Sequence, residues 1–113
     1  MKITDVTLTP LYSRRETGTC SPHCIVQLST DEGLTGLGEM SDLGHERTKW
    51  DLGDLKDSIA YVVVGRDPLA WGALTRELRS RFPRGGPLRA GIEIALLDLV
   101  GKVHDQSIAD IFG

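Results

Sequence analysis

Apolar residues between Pro87 and Val103 recur at steps of three and four, through Leu88, Ile92, Ala95, Leu96, Leu99, Val100 and Val103. That period predicts a helix with one broad apolar stripe, about 24 Å long at 1.5 Å per residue. Such a stripe needs a partner surface, and the start of the chain supplies one. Ile3, Val6, Leu8 and Leu11 stand among polar residues in near alternation up to Tyr12, as in a half-buried strand, with Pro10 marking a sheet edge or a bulge. Strand character resumes at Cys24 to Ser29, Thr30 to Gly33 reads as a short turn, and Leu34 to Met40 returns as a third strand, so the last two form a hairpin.

From Trp50 the step changes from two to three and four, through Leu52, Leu55, Ile59, Val62 and Val63, which predicts a first helix with Gly65 as its C′ residue. Asp67 and Pro68 then give a start signal, a capping carboxylate followed by a residue whose missing N–H costs nothing at that position. The second helix is expected from Pro68 to about Phe82, with Leu69, Trp71, Leu74 and Leu78 inward and Arg76, Glu77, Arg79 and Arg81 outward. Pro83 to Pro87 break it, the striped helix follows, and Ser107 caps a short turn of helix reaching Phe112. Two segments, Ser13 to His23 and Ser41 to Lys49, carry no sustained period and read as irregular loops, the first long enough to be functional. Strands segregated from helices predict an α+β domain, a three-stranded antiparallel sheet followed by a three-helix layer.

A chain of 113 residues fits one domain with one modest core, and with aromatic residues at 5% that core should be aliphatic. A net charge of -3 with no long run of either sign argues against a nucleic-acid partner. The longest apolar runs fall far short of the roughly 20 residues of a membrane span, so no membrane association is expected. Met1 and Lys2 lead straight into strand pattern with no signal peptide. Cys20 and Cys24, four apart in an extended segment, lie too far from each other for a disulfide. Reduced thiols and no leader point to a cytoplasmic location.

Each candidate for chemistry competes with a plainer role. Cys20, His23 and Cys24 place three soft metal ligands in five residues, but a zinc site requires a fourth, for which only His45 or His104 is on offer, so an ordinary approach to a strand is the better reading. Gly33, Gly36 and Gly38 follow the order G-x-x-G-x-G with no helix start behind them, which speaks for close backbone approach within the sheet rather than phosphate binding. Asp98 and Lys102 stand four apart in the favourable acid-first order and read as a structural ion pair.

The run from Gly91 to Lys102, GIEIALLDLVGK, with the tail Ser107 to Gly113, resembles the A-I-D-x-A-L-W-D-x-x-G-K … P-x-x-x-L-L-G pattern of the enolase superfamily. More narrowly it is similar to the mandelate racemase and muconate lactonizing enzyme branch. Lys2 to Val6, Ile25 to Leu28, Thr30 to Glu39 and Val64 to Pro68 agree in order, while Glu93, Leu97 and Ser107 depart from the usual Asp, Trp and Pro or Lys.

The resemblance implies an N-terminal capping domain spanning residues 1–113, with Gly113 near the handover to a C-terminal TIM-type barrel that the chain does not contain. In the family the barrel carries the acids that bind Mg²⁺ and the bases that remove the proton α to a carboxylate, with racemization, dehydration or cycloisomerization as outcomes. The expected partners are therefore that barrel and a small carboxylate substrate, and this chain holds no catalytic residue and no metal ligand. The family's substrate-covering loops match Tyr12 to His23 and Met40 to Lys49, so Arg14, Arg15, His23, His45 and Arg47 become the substrate-loop candidates, and their charge favours an acid sugar. The alternative is a stand-alone binding or dimerization module. An isolated cap would also expose the apolar patch that rests on the barrel, favouring a homo-oligomer.

Overall fold

The alternation of the first forty residues becomes an antiparallel meander because one face of each strand has helices to bury against. The computed structural model describes residues 1–14, 16–18, 20–41 and 51–113. Among these, β1 (Ile3–Arg14), β2 (Cys20–Thr30) and β3 (Thr35–Met40) form one sheet in the order β1-β2-β3. Val6 pairs with Leu28 and Leu8 with Val26, and Val26 in turn faces Gly38 across to β3. Val6, Cys24, Val26, Leu28 and Met40 are buried on the inner face. The hairpin between β2 and β3 closes through the Thr30 amide and hydroxyl, both donating to the Leu34 carbonyl, at 3.1 and 2.8 Å. β1 is an edge strand, as Pro10 requires, and has a register shift between Ile3 and Asp5.

The helices are α1 (Leu52–Val63), α2 (Trp71–Arg81), α3 (Gly86–His104) and the short α4 (Ile108–Phe112). Asp51 caps α1 by accepting the Asp54 amide, and Gly65 takes a φ of +83° just past the helix end, as its C′ position demands. Behind it, the Gly65 amide donates to the Ile3 carbonyl and the Ile3 amide to the Arg66 carbonyl, which fastens the start of β1 to the end of α1. Arg66 donates from Nη1 to both carboxylate oxygens of Glu77, and this hydrogen bond holds the Glu77 carboxyl below the usual carboxylate range. Ser107 caps α4, and the rings of Phe112 and Trp71 meet nearly at right angles, with centroids 5.8 Å apart.

Three expectations change. The first loop, expected from Ser13 to His23, is mostly strand, because β1 and β2 go on pairing as far as Arg14 with Cys20. No described helix packs on Leu11 or Tyr12, which are exposed on opposite faces, so neither face has to be apolar and the alternation that reveals a strand disappears. Leu69, expected inward, is 44% exposed. Pro68–Ala70 forms a 3₁₀ turn with Asp67 accepting the Leu69 amide, and its tighter winding buries Pro68 in place of Leu69. The glycines of β3 do allow close approach, but of a helix onto the sheet. A Cβ built on Gly38 would lie 1.9 Å from the Gly91 carbonyl oxygen, and one on Gly36 would lie 2.2 Å from that of Ala95. The second expected loop beyond Ser41, and Trp50, lie outside the described residues.

α3 is thus the centre of the domain, with Leu88, Ile92, Ala95, Leu96 and Leu99 fully buried between sheet and helices. Its Asp98 and Lys102 form the expected ion pair at 2.9 Å and also reach β3. Asp98 Oδ2 accepts the Leu37 amide at 2.9 Å, and Lys102 Nζ donates to the Thr35 carbonyl at 2.6 Å. No helix among the described residues is long and apolar enough to cross a membrane.

Candidate functional site

Past the last β2–β3 pair, Cys24 with Met40, β1 and β2 continue alone through the pairs Leu11–His23, Tyr12–Pro22, Ser13–Ser21 and Arg14–Cys20. The result is a two-stranded ribbon that projects about 13 Å beyond β3, at 3.4 Å per residue. Pro22, which would break a central strand, fits here because β2 has a single neighbour at this point among the described residues. Two-stranded ribbons draw little stability from a core, so these residues are available for contacts with something outside the domain. Leu11 and Tyr12 present large exposed side chains there, Tyr12 at 75%.

Of the five candidates read from the sequence, Arg14 and His23 lie on this ribbon, while Arg15, His45 and Arg47 lie outside the described residues. Arg14 is an exposed cation at the ribbon's end. His23 sits three pairs back, roughly 10 Å along the strand, and the odd separation puts it on the opposite face. The two are not brought together. His23 points to the sheet face away from the helices, where its Nδ1 lies 3.1 Å from Glu39 Oε1 without the alignment of a hydrogen bond.

Glu39 and Tyr12 were missed as neighbours of the candidates. The signal for Glu39 was its odd position in β3, which places it on the same face as His23 once the register is known.

Strand alternation also dissolves the metal reading. Cys24 is buried on the inner face, whereas His23, one residue earlier, lies on the outer one. Burial pushes the Cys24 thiol up from its ordinary range, so it stays protonated and is a poor nucleophile. No group of three or more His, Cys, Asp or Glu among the described residues could hold a metal ion. At the other end of the sheet, an open depression of about 360 Å³ runs along the α3–α4 junction between Lys102, Asp105 and Ile108. Asp98 and Lys102 border it but are already committed to each other and to β3.

The sequence profile of the family described as "Mandelate racemase / muconate lactonizing enzyme, N-terminal domain" matches residues 1–113. A D-galactonate dehydratase of Ralstonia nicotianae is 36% identical over 93 residues, and a cis-3-hydroxy-L-proline dehydratase of Roseibium aggregatum is 34% identical over 93. Those matches take in 78% and 79% of this chain but 24% and 25% of the relatives, so the chain spans about a quarter of their length. Among solved structures, a dipeptide epimerase from Methylococcus capsulatus complexed with Mg ion superposes with a TM-score of 0.85 at 28% identity, covering 100% of this chain and 33% of that one. A dipeptide epimerase from Enterococcus faecalis V583 gives 0.79 at 25% identity, with 100% and 33% coverage.

Proposed function

Because the chain belongs to the mandelate racemase / muconate lactonizing enzyme N-terminal domain family over its whole length, we propose that it is the substrate-capping domain of an enzyme whose reacting groups lie in a C-terminal barrel. The observation that carries this reading is the coverage: the family match spans residues 1–113, whereas the matched region makes up only a quarter to a third of the relatives' own length. The described residues do not suit Mg²⁺, having no cluster of ligands for it. As in the family this chain resembles, the metal and the base that removes a proton α to a carboxylate are assigned to the barrel.

What this chain contributes is binding and enclosure. The ribbon reaches past the sheet with an exposed guanidinium at Arg14, a group suited to bidentate pairing with a carboxylate. Arg15 beside it, and His45 and Arg47 in the second segment, offer further cations or hydrogen-bond donors for carboxylate and hydroxyl groups. His23, on the opposite ribbon face and beside Glu39, is better placed to fix the base of the ribbon than to touch the same ligand as Arg14. Closing such segments over a barrel mouth excludes water and strengthens each charged contact inside. The charge of these residues and the dehydratase relatives favour dehydration of an acid sugar over epimerization of a dipeptide.

In a polypeptide that joins this domain to its barrel, Arg14→Gln is expected to lower kcat/KM for an acid sugar by about tenfold, the loss of one charge-assisted contact. The change should fall mainly on KM, with circular dichroism unaltered. Unchanged kcat/KM across a panel of acid sugars would remove Arg14 from the site.

A further inference from the structure

Sheet edges invite other strands, and the two edges of this sheet are protected in different ways. β1 carries Pro10 within the strand, and its start is bonded to the backbone at Gly65 and Arg66. β3 has neither device. Its sequence from Thr35 to Met40, TGLGEM, holds no proline and no lysine, and two of its six residues are glycines. β2 occupies one side of β3 from Ser29–Thr35 to Cys24–Met40, and no strand among the described residues takes the other side.

We propose that Asp98 and Lys102 act as a strand-edge cap that keeps a second copy of this chain from pairing along β3. The geometry matches the task. An incoming strand would take the outward Leu37 N–H and the outward Thr35 C=O, and these are the two groups that Asp98 and Lys102 occupy, at 2.9 and 2.6 Å. The side chains mimic a neighbouring strand with one acceptor and one donor. They are joined to each other at 2.9 Å, so neither charge is left single at the edge. Both project from α3, which the glycines of β3 hold in backbone contact with the sheet, so the cap is carried by a rigid element.

The occupant excluded is a second copy because β3 is complementary to itself. In a two-fold antiparallel pairing centred on Leu37, Leu37 meets Leu37 and Thr35 meets Glu39, with no like charges opposed. Leu37 is 48% exposed and offers an apolar contact at the centre of that pairing.

The test combines light scattering over a concentration series of the 113-residue chain with hydrogen exchange at the Leu37 amide. Asp98→Ala with Lys102→Ala is expected to form concentration-dependent dimers beyond the state of the unaltered chain. In dilute solution its Leu37 amide should exchange about tenfold faster, and protection should return as dimers form. Asp98→Asn keeps an oxygen within reach of the Leu37 N–H and is expected to behave as the unaltered chain does. A folded double variant that matches the unaltered chain at every concentration overturns the proposal, as does Asp98→Asn associating as strongly as the double variant. If the double variant does not fold, Lys102→Met, which frees the Thr35 carbonyl and leaves Asp98 in place, carries the test. Association above that of the unaltered chain supports the cap, and its absence overturns it.

Discussion

Gly38→Ala is expected to destabilise the domain by about 3 kcal/mol or more, the upper end of what overpacking a core costs. The added Cβ would lie 1.9 Å from the Gly91 carbonyl oxygen and 2.9 Å from the Ala95 amide nitrogen, both backbone atoms of α3. A side chain can rotate away from such a contact, but a helix backbone cannot. α3 would have to lift from β3, and with it would go the burial of Ile92, Ala95 and Leu96 and the bond from Asp98 to the Leu37 amide. Gly72→Ala provides the contrast. Its Cβ meets nothing nearer than the Arg76 guanidinium at 3.9 Å, so alanine should stabilise α2 by up to about 1 kcal/mol through helix propensity. Urea denaturation of the two variants checks both signs. A Gly38→Ala protein as stable as its parent would mean that α3 does not press on β3.

Leu99→Ala should cost about 2 to 5 kcal/mol, the range for emptying a fully buried leucine site. Leu99 is 0% exposed, and its Cγ lies 2.7 Å from where a Gly36 Cβ would stand, so it fills the space that the glycine leaves open. Against a total stability of about 5 to 15 kcal/mol for a domain, such a loss is a large share. Leu97, two residues earlier and half-buried, should cost distinctly less when truncated to alanine, although it occupies the position where the family usually has tryptophan. Denaturant midpoints ranking Leu97→Ala below Leu99→Ala would contradict the placement of the α3 stripe.

The parts of this fold that could be read from the sequence are those in which one face is buried. Val6 with Leu8, and Cys24, Val26 and Leu28, alternate because the inner sheet face meets helices, and the α3 stripe repeats because it meets the sheet. Where burial ends, the signal ends. On the ribbon, Leu11 and Tyr12 point to opposite faces and both are exposed, so this stretch has the composition of a loop while keeping the pairing of strands. Asp98 and Lys102 were recognisable as an ion pair because that relation is local, four residues along one helix. Their bonds to Leu37 and Thr35 span 61 and 67 residues and depend on how α3 crosses β3, which no local pattern encodes. His23 and Glu39 illustrate the same limit, since their contact follows from the register of two strands. The family pattern from Gly91 to Lys102 was legible for a related reason. Gly91 and the charged pair fit α3 closely onto β3, and Gly101 makes room for the turn into α4, so the pattern encodes packing rather than chemistry.

The proposed role of this domain is to shape and enclose a substrate site whose reacting groups lie elsewhere. It is tested most directly by assaying the purified 113-residue chain for turnover of a panel of acid sugars with Mg²⁺ present. Product formation no faster than in a protein-free blank is expected, from a chain shown by circular dichroism to be folded. Saturable turnover that follows the chain through purification would contradict it.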